Sequence, residues 1–237
     1  MDRRKFVART GGLIIASGAI NSAAAKSEKE MVMPGKACRP VTMQTPGPFV
    51  TQENIVRSDI REDLPGAVLN LNIRVLDPVS CAPTEGMIVD IWQCDAAGRY
   101  AGFVNINFDL NTLKVSGPGP DYTDKTFLRG RQLTDQNGLA RFTTIIPGWY
   151  IPRLPHIHVR ATIPGMDWTA TTTQLYFPPD LEKAIYDSPP YAERGPNPIG
   201  YKRDLAIRGD KKTLKALTLD VEKDSDGFKS TFDMPIT

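Results

Sequence analysis

The chain has 237 residues, with 29 Lys and Arg against 27 Asp and Glu and a formal net charge of +2. That length suffices for one domain with a sizeable core, and so even a charge balance argues against a nucleic-acid partner. The 3 cysteines show no C-x-x-C spacing, which argues against a cysteine zinc site.

The chain opens Met1-Asp-Arg-Arg-Lys-Phe-Val7, runs through an apolar stretch from Gly11 to Ile20 and reaches Ala23-Ala-Ala25. A basic start, a short apolar run and an A-x-A site predict a signal peptide over 1–25. The Arg3-Arg4 pair followed by Lys5-Phe6 resembles a twin-arginine signal, which predicts export by that machinery to the periplasm or beyond. The apolar run is shorter than the roughly 20 residues a membrane span needs. Removing the signal takes the net charge from +2 to about −1, so the basic balance belongs partly to the leader.

Residues 26–37 read as a polar arm, and 26–237 as a single domain. Cys38 follows the arm, and Cys81 lies in the turn-rich Asp77-Pro-Val-Ser-Cys-Ala-Pro83. In an oxidising compartment these two are expected to pair; two free thiols are the alternative. Cys94, inside Ile91-Trp-Gln-Cys, reads as a small buried apolar residue.

Short strand signals then recur: Val68–Leu76, Met87–Trp92, Ala140–Ile146, His156–Thr162 and Thr171–Phe177, separated by Asp-Pro, Pro-Gly, Asn-Gly and Gly-Pro turns. The pattern predicts a mainly β fold, an antiparallel β-sandwich with long loops and little helix. Residues 103–127, rich in Asn, Gly and Pro, read as a long loop, either one wall of a substrate mouth or a solvated insertion. Pro179–Tyr186 reads as a short helix beneath a Pro-rich loop. Leu205–Asp210 and Leu214–Val221 read as edge strands, and Asp224–Gly227 as a turn.

The only two histidines, His156 and His158, lie two apart on a predicted strand, so both imidazoles point to one face. Imidazole is the commonest side-chain metal ligand. H-x-H alone equally describes a strand pair with one ring in a core hydrogen bond and the other in solvent. Tyr150, after a Pro-Gly turn, can bring a phenol to the same space. A phenol must lose a proton near pKa 10 to bind, which selects a hard, highly charged ion such as Fe(III).

The stretch Pro147–His158 resembles the intradiol ring-cleavage dioxygenases, non-haem Fe(III) enzymes that open catechols between the two hydroxyls. Their P-G-x-Y and R-x-x-H-x-H motifs correspond to Tyr150, Arg153, His156 and His158. Val89-Asp-Ile-Trp-Gln-Cys-Asp-Ala-Ala-Gly-Arg-Tyr100 resembles the motif that ends in the family's first tyrosine. Arg129-Gly-Arg-Gln-Leu-Thr-Asp-Gln-Asn-Gly138 and Thr173-Gln174 resemble two further motifs, and the likeness spans residues 38–178. It implies Fe(III) held by Tyr100, Tyr150, His156 and His158, and insertion of both atoms of O2 into a catechol-like aromatic to give a muconate-type diacid. It also implies that Tyr150 takes a substrate proton, that Arg153 stabilises negative charge on the ring, and that Gln174 acts beside the histidines. A surface salt bridge for Arg153 and a strand hydrogen bond for Gln174 are the plainer alternatives. Trp149 reads as packing. In the family's secreted members a leading segment like 45–63 precedes the core; Arg57 and Asp59 read as surface charges there, with a small role at the mouth open. The lack of room for a long helical N-terminal region resembles the compact secreted branch.

Two other functions compete. One is an exported, non-catalytic β-sandwich that binds metal or aromatic ligands. The other is a zinc hydrolase, for which no carboxylate partner is apparent and tyrosine is a poor ligand.

Overall fold

The computed structural model describes residues 38–51 and 54–236, without the side chains of 167–170. The predicted signal at 1–25 and arm at 26–37 lie outside the described residues.

Among the described residues ten strands and two α-helices follow in order: β1 Val68–Leu76, β2 Ile88–Trp92, β3 Val104–Asp109, β4 Lys114–Asp121, β5 Arg129–Leu133, β6 Leu139–Ile145, β7 His156–Ile163, β8 Met166–Tyr176, α1 Pro179–Tyr186, α2 Lys211–Leu217, β9 Glu222–Asp224 and β10 Gly227–Pro235. They make two 4-stranded sheets, β6-β1-β10-β9 and β5-β2-β7-β8, and a 2-stranded ribbon, β3-β4. Every pair is antiparallel except β1 with β10, which is parallel. The mainly β, antiparallel reading therefore holds, with that one exception.

Period-2 alternation sends Leu69, Leu71, Ile73 and Val75 of β1 into one core with Val89 and Ile91 of β2 and Ile157, Val159 and Ala161 of β7. The opposite face of the second sheet thereby receives Trp92, His156, His158 and Gln174. Register aligns them: Trp92 lies opposite His158, which lies opposite Gln174, and His156 lies opposite Tyr176. The polar half of the alternation thus places the site.

That outer face is covered by the chain that leads into the sheets. Cys38 and Cys81 form a disulfide with Cα atoms 5.3 Å apart. Beyond it Val41 N donates to Pro235 O, Gln44 N donates to Thr172 O, and Gln174 Nε2 donates to Thr45 O at 2.8 Å. Thr45–Phe49 is thereby strapped across the histidines.

Two sequence expectations need correction. Residues 103–127 are not a structureless loop, because β3 and β4 pair as a ribbon within them. The Asn, Gly and Pro content hid the strands but is compatible with a bulged edge. Leu205–Asp210 and Leu214–Val221 are not edge strands. The first is a run of turns, and Lys211–Leu217 is helical, capped by Asp210, which accepts from Lys212 N and Thr213 N. Leu217 closes that helix, and the alternation continues through Leu219 and Val221 in the extended run after it. The predicted helix Pro179–Tyr186 is α1.

Candidate metal centre

Two loops carry the two tyrosines. After β2, Asp95 Oδ1 accepts from Ala97 N at 2.9 Å and Arg99 N at 2.8 Å, and Gly98 turns the chain at φ +75°. The D-A-x-G-x-Y spacing is therefore a side-chain-capped turn that delivers Tyr100. The Pro147–Tyr150 turn packs directly on it. Gly148 N donates to Asp95 O at 3.0 Å and Cys94 Sγ donates to Gly148 O at 3.3 Å. A Cβ on Gly148 would sit 2.2 Å from Ala96 O, and one on Gly98 would sit 2.4 Å from Trp149 O. Only glycine permits this approach, and the approach sets Tyr150 beside Tyr100, ring centroids 5.6 Å apart and nearly perpendicular.

Tyr100 is buried. Asn105 grips its backbone, accepting from Tyr100 N at 2.8 Å and donating to Tyr100 O at 3.0 Å. Phe49 stacks on its ring with centroids 4.2 Å apart. Arg129 braces the same loop by donating to Ala101 O, so the Arg129–Gly130 motif is architectural here.

The histidines are fully buried. His158 stacks flat on Trp92, with centroids 4.8 Å apart. His156 Nδ1 lies 2.6 Å from Leu154 O, so that nitrogen carries the proton it donates. Burial, then the nearby Arg153, depresses the His156 pKa; burial, then His156, depresses that of His158. A neutral His156 protonated at Nδ1 has a bare lone pair on Nε2, and this atom lies 3.1 Å from His158 Nε2.

The four predicted ligands are thus brought together: His156 lies 5.6 Å from Tyr150 and 4.7 Å from His158, ring centroid to centroid. Among the described residues no group of three or more His, Cys, Asp or Glu side chains could hold a metal. The available donor set is two imidazoles and two phenols. Tyr100 Oη is buried with no well-formed hydrogen bond and only the Tyr150 phenol beside it to meet, which is costly in a folded protein and fits a metal ligand. Burial, then the neighbouring Tyr150, raises the Tyr100 pKa well above the usual phenol value. Tyr150 is pushed up to about 12 by burial against the pull of Arg153. Burial thus opposes ionisation of both phenols, which favours a cation of high charge as their partner. The residues fit Fe(III) better than a softer divalent ion.

Arg153 faces the same space. Its Nε donates to Asp204 Oδ2 at 3.0 Å, its second amine donates to Tyr176 Oη at 3.2 Å and to Gln174 Oε1, and its first amine lies 3.3 Å from His156 Nε2. Gln174 therefore ties Arg153 to the strap at Thr45. The salt-bridge alternative for Arg153 holds in part: the bridge exists, but it is buried beside the histidines rather than on the surface. Trp149 is packing, with Nε1 donating to Gly195 O and Arg194 stacked over its ring. Arg57 and Asp59 bond to neighbouring loops and lie away from the four donors.

Sequence reasoning missed Phe49, Asn105, Tyr176 and Asp204. Asn105 lay in a stretch taken for loop, and Asp204 lay just before one taken for a strand. Only the Thr45-Pro-Gly-Pro-Phe49 turn signal hinted at a strap.

A cavity of about 960 Å³ opens over the site, lined by Tyr150 and Arg153, by Thr45–Phe49 and by the β3–β4 ribbon. The substrate-wall alternative for 103–127 is therefore the one the geometry favours.

The family described as Dioxygenase matches residues 44–192. The protocatechuate 3,4-dioxygenase beta chain of Burkholderia cepacia is 31% identical over 160 residues, 57% of this chain and 62% of that one. The chain thus spans less than two thirds of that curated relative's length. An intradiol ring-cleavage dioxygenase from Tetranychus urticae is similar in structure, with a TM-score of 0.70 and 28% identity over 84% of this chain and 95% of that one. The dioxygenase domain of a dioxygenase–carbohydrate-binding protein fusion from Streptomyces sp. SirexAA-E gives 0.56 and 27%, over 84% of this chain and 98% of that one. The capped Tyr100 turn, the Tyr150 turn and the paired histidines all lie inside the matched region, and the chain belongs to the intradiol ring-cleavage dioxygenase family.

Proposed function

We propose that this protein is an Fe(III)-dependent intradiol dioxygenase that inserts both atoms of O2 into a catechol-like aromatic and releases a muconate-type diacid. The observation that carries the reading is the convergence of three buried donors, Tyr100, His156 and His158, with the half-buried Tyr150, and no carboxylate among the four. Tyr100, Tyr150, His156 and His158 would hold the ion. A ferric ion held by them would supply Lewis acidity toward a diol substrate.

The chain's own residues divide the remaining work. Tyr150 borders the cavity whereas Tyr100 does not. A phenolate there, released from the ion, is placed to act as base toward a diol hydroxyl, so Tyr150 Oη takes a substrate proton. Tyr100, clamped by Phe49 and Asn105, stays in place. Arg153, fixed by Asp204 and Gln174, presents a buried cation to charge developing on the substrate oxygens.

Export through the twin-arginine-type signal to the periplasm or beyond belongs to the same proposal. The Cys38–Cys81 disulfide supports it, since such bonds persist in oxidising compartments.

The test is oxygen uptake with isotopically labelled O2 and mass analysis of the product from catechol. Two labelled atoms in a ring-opened diacid are expected. An iron-loaded protein that consumes no O2 with any simple catechol, or that yields the aldehyde of cleavage outside the diol, contradicts the proposal.

A further inference from the structure

The cavity over the site is larger than a one-ring diol fills, and its charge is of one sign. At about 960 Å³ it reaches the top of the roughly 300–1,000 Å³ range of drug-sized ligand sites. Four arginines line it, Arg99, Arg153, Arg194 and Arg208, with no Asp, Glu or Lys.

Arg153 is already neutralised by Asp204. The other three make no carboxylate contact, although Asp95 lies within electrostatic range of Arg99 and Arg194. Arg194 stacks over Trp149 and donates from one amine to Trp149 O at 3.2 Å, while its Nε is buried with no hydrogen-bond partner. Arg208 is exposed and donates only to the carbonyl of Leu205 in its own turn. Asp95, close to Arg99 in the chain, turns its carboxylate to the backbone of Ala97 and Arg99. Among the described residues no ion pair holds Arg99, Arg194 or Arg208.

One wall is apolar and uncovered. The β3–β4 ribbon contributes Val104, Ile106, Phe108 and Leu110 to the lining, and Val104, Ile106 and Leu110 are exposed. Apolar surface held open toward a cavity gains when a ligand covers it.

From these two features we infer that the substrate is a catechol bearing a carboxylate on an apolar extension, with the extension lying against the β3–β4 ribbon and the carboxylate meeting the unpaired arginines. This inference rests on the ring-cleavage reading above. It makes Arg99, Arg194 and Arg208 specificity-determining residues and gives the ribbon a role that a single ring would leave unused.

The test compares three substrates on the iron-loaded protein by O2 uptake: catechol, a catechol with a butanoate side chain, and the methyl ester of that acid. The acid is expected to exceed its isosteric ester in kcat/KM by about tenfold, the scale of one charge-assisted hydrogen bond. That advantage is expected to shrink with added salt. Arg208→Gln, at an exposed position that the fold does not need, and Arg99→Gln are each expected to bring the acid-to-ester ratio toward one. Ile106→Asp is expected to lower both long substrates relative to catechol. An ester cleaved as well as the acid overturns the anionic class. Catechol cleaved better than both overturns the extension. Failure of all three substrates on a protein without a visible ferric band sinks the ring-cleavage reading itself, an outcome distinct from the other two.

Discussion

The Arg153 guanidinium and the Asp204 carboxylate form an ion pair, Nε to Oδ2 at 3.0 Å, with side-chain exposures of 7% and 0%. Asp204 also accepts from Leu154 N, Ala206 N and Ile207 N. One buried carboxylate thus fixes the turn that leads into β7, the turn of residues 205–209 and the cation that faces the substrate space.

Asp204→Ala is therefore expected to destabilise the protein by about 3–5 kcal/mol, because it leaves Arg153 buried without a counter-charge. Urea unfolding of the apo protein measures this. Asp204→Asn keeps the shape and removes the charge, and its kcat with catechol is expected to fall more than its stability. Unchanged stability in both variants would mean that the pair is not buried as described.

Tyr100→Phe separates ligation from folding. Its hydroxyl is buried with no well-formed hydrogen bond, so deleting it removes a poorly satisfied group that costs about 1–3 kcal/mol. The apo variant is expected to be at least as stable as apo wild type, while its iron content drops sharply. Thermal melts in chelator and an iron assay read the two effects. A less stable apo variant with full iron would show that Tyr100 is structural only.

The Cys38–Cys81 disulfide spans 43 residues and anchors the strap over the histidines. Replacing both cysteines with Ser is expected to lower stability by about 2–4 kcal/mol. Hydrogen exchange is expected to rise first at residues 41–49. Unchanged protection there would detach the disulfide from the strap.

Glu182 on α1 supplies a pH dependence away from the metal site. Burial raises its pKa from 4.5 to about 7, opposed by a hydrogen bond from Asn197. The folded state keeps a proton that the unfolded state has released, so this stability is present below pH 4.5 and is lost as pH rises through about 7. Glu182→Gln is expected to remove a decline of about 1–3 kcal/mol over that window. An identical pH profile in wild type and variant would contradict it.

The histidine pair was legible because strand periodicity alone puts His156 and His158 on one face. The tyrosine turns were legible as motifs, and Asp95, Gly98 and Gly148 supply the physical reason for those motifs. The proximity of Tyr100 to Tyr150 was not legible from periodicity, since it depends on a close loop-to-loop approach. Phe49 and Asp204 reach the site from distant segments through tertiary contacts that no local pattern encodes. The ribbon was misread because Gly and Pro lower strand propensity, yet a two-stranded edge tolerates them. Helix α2 was misread because the alternation following it outweighed the Asp210 cap.

The central claim is that two phenolates and two imidazoles hold ferric iron where a diol can reach it. The most direct measurement is the visible spectrum of the iron-loaded protein, with an iron assay, before and after anaerobic addition of catechol. The account predicts a broad phenolate-to-iron band with one iron per chain, shifted to longer wavelength by catechol and lost in Tyr100→Phe. A protein that stays colourless and iron-free after reconstitution would contradict it.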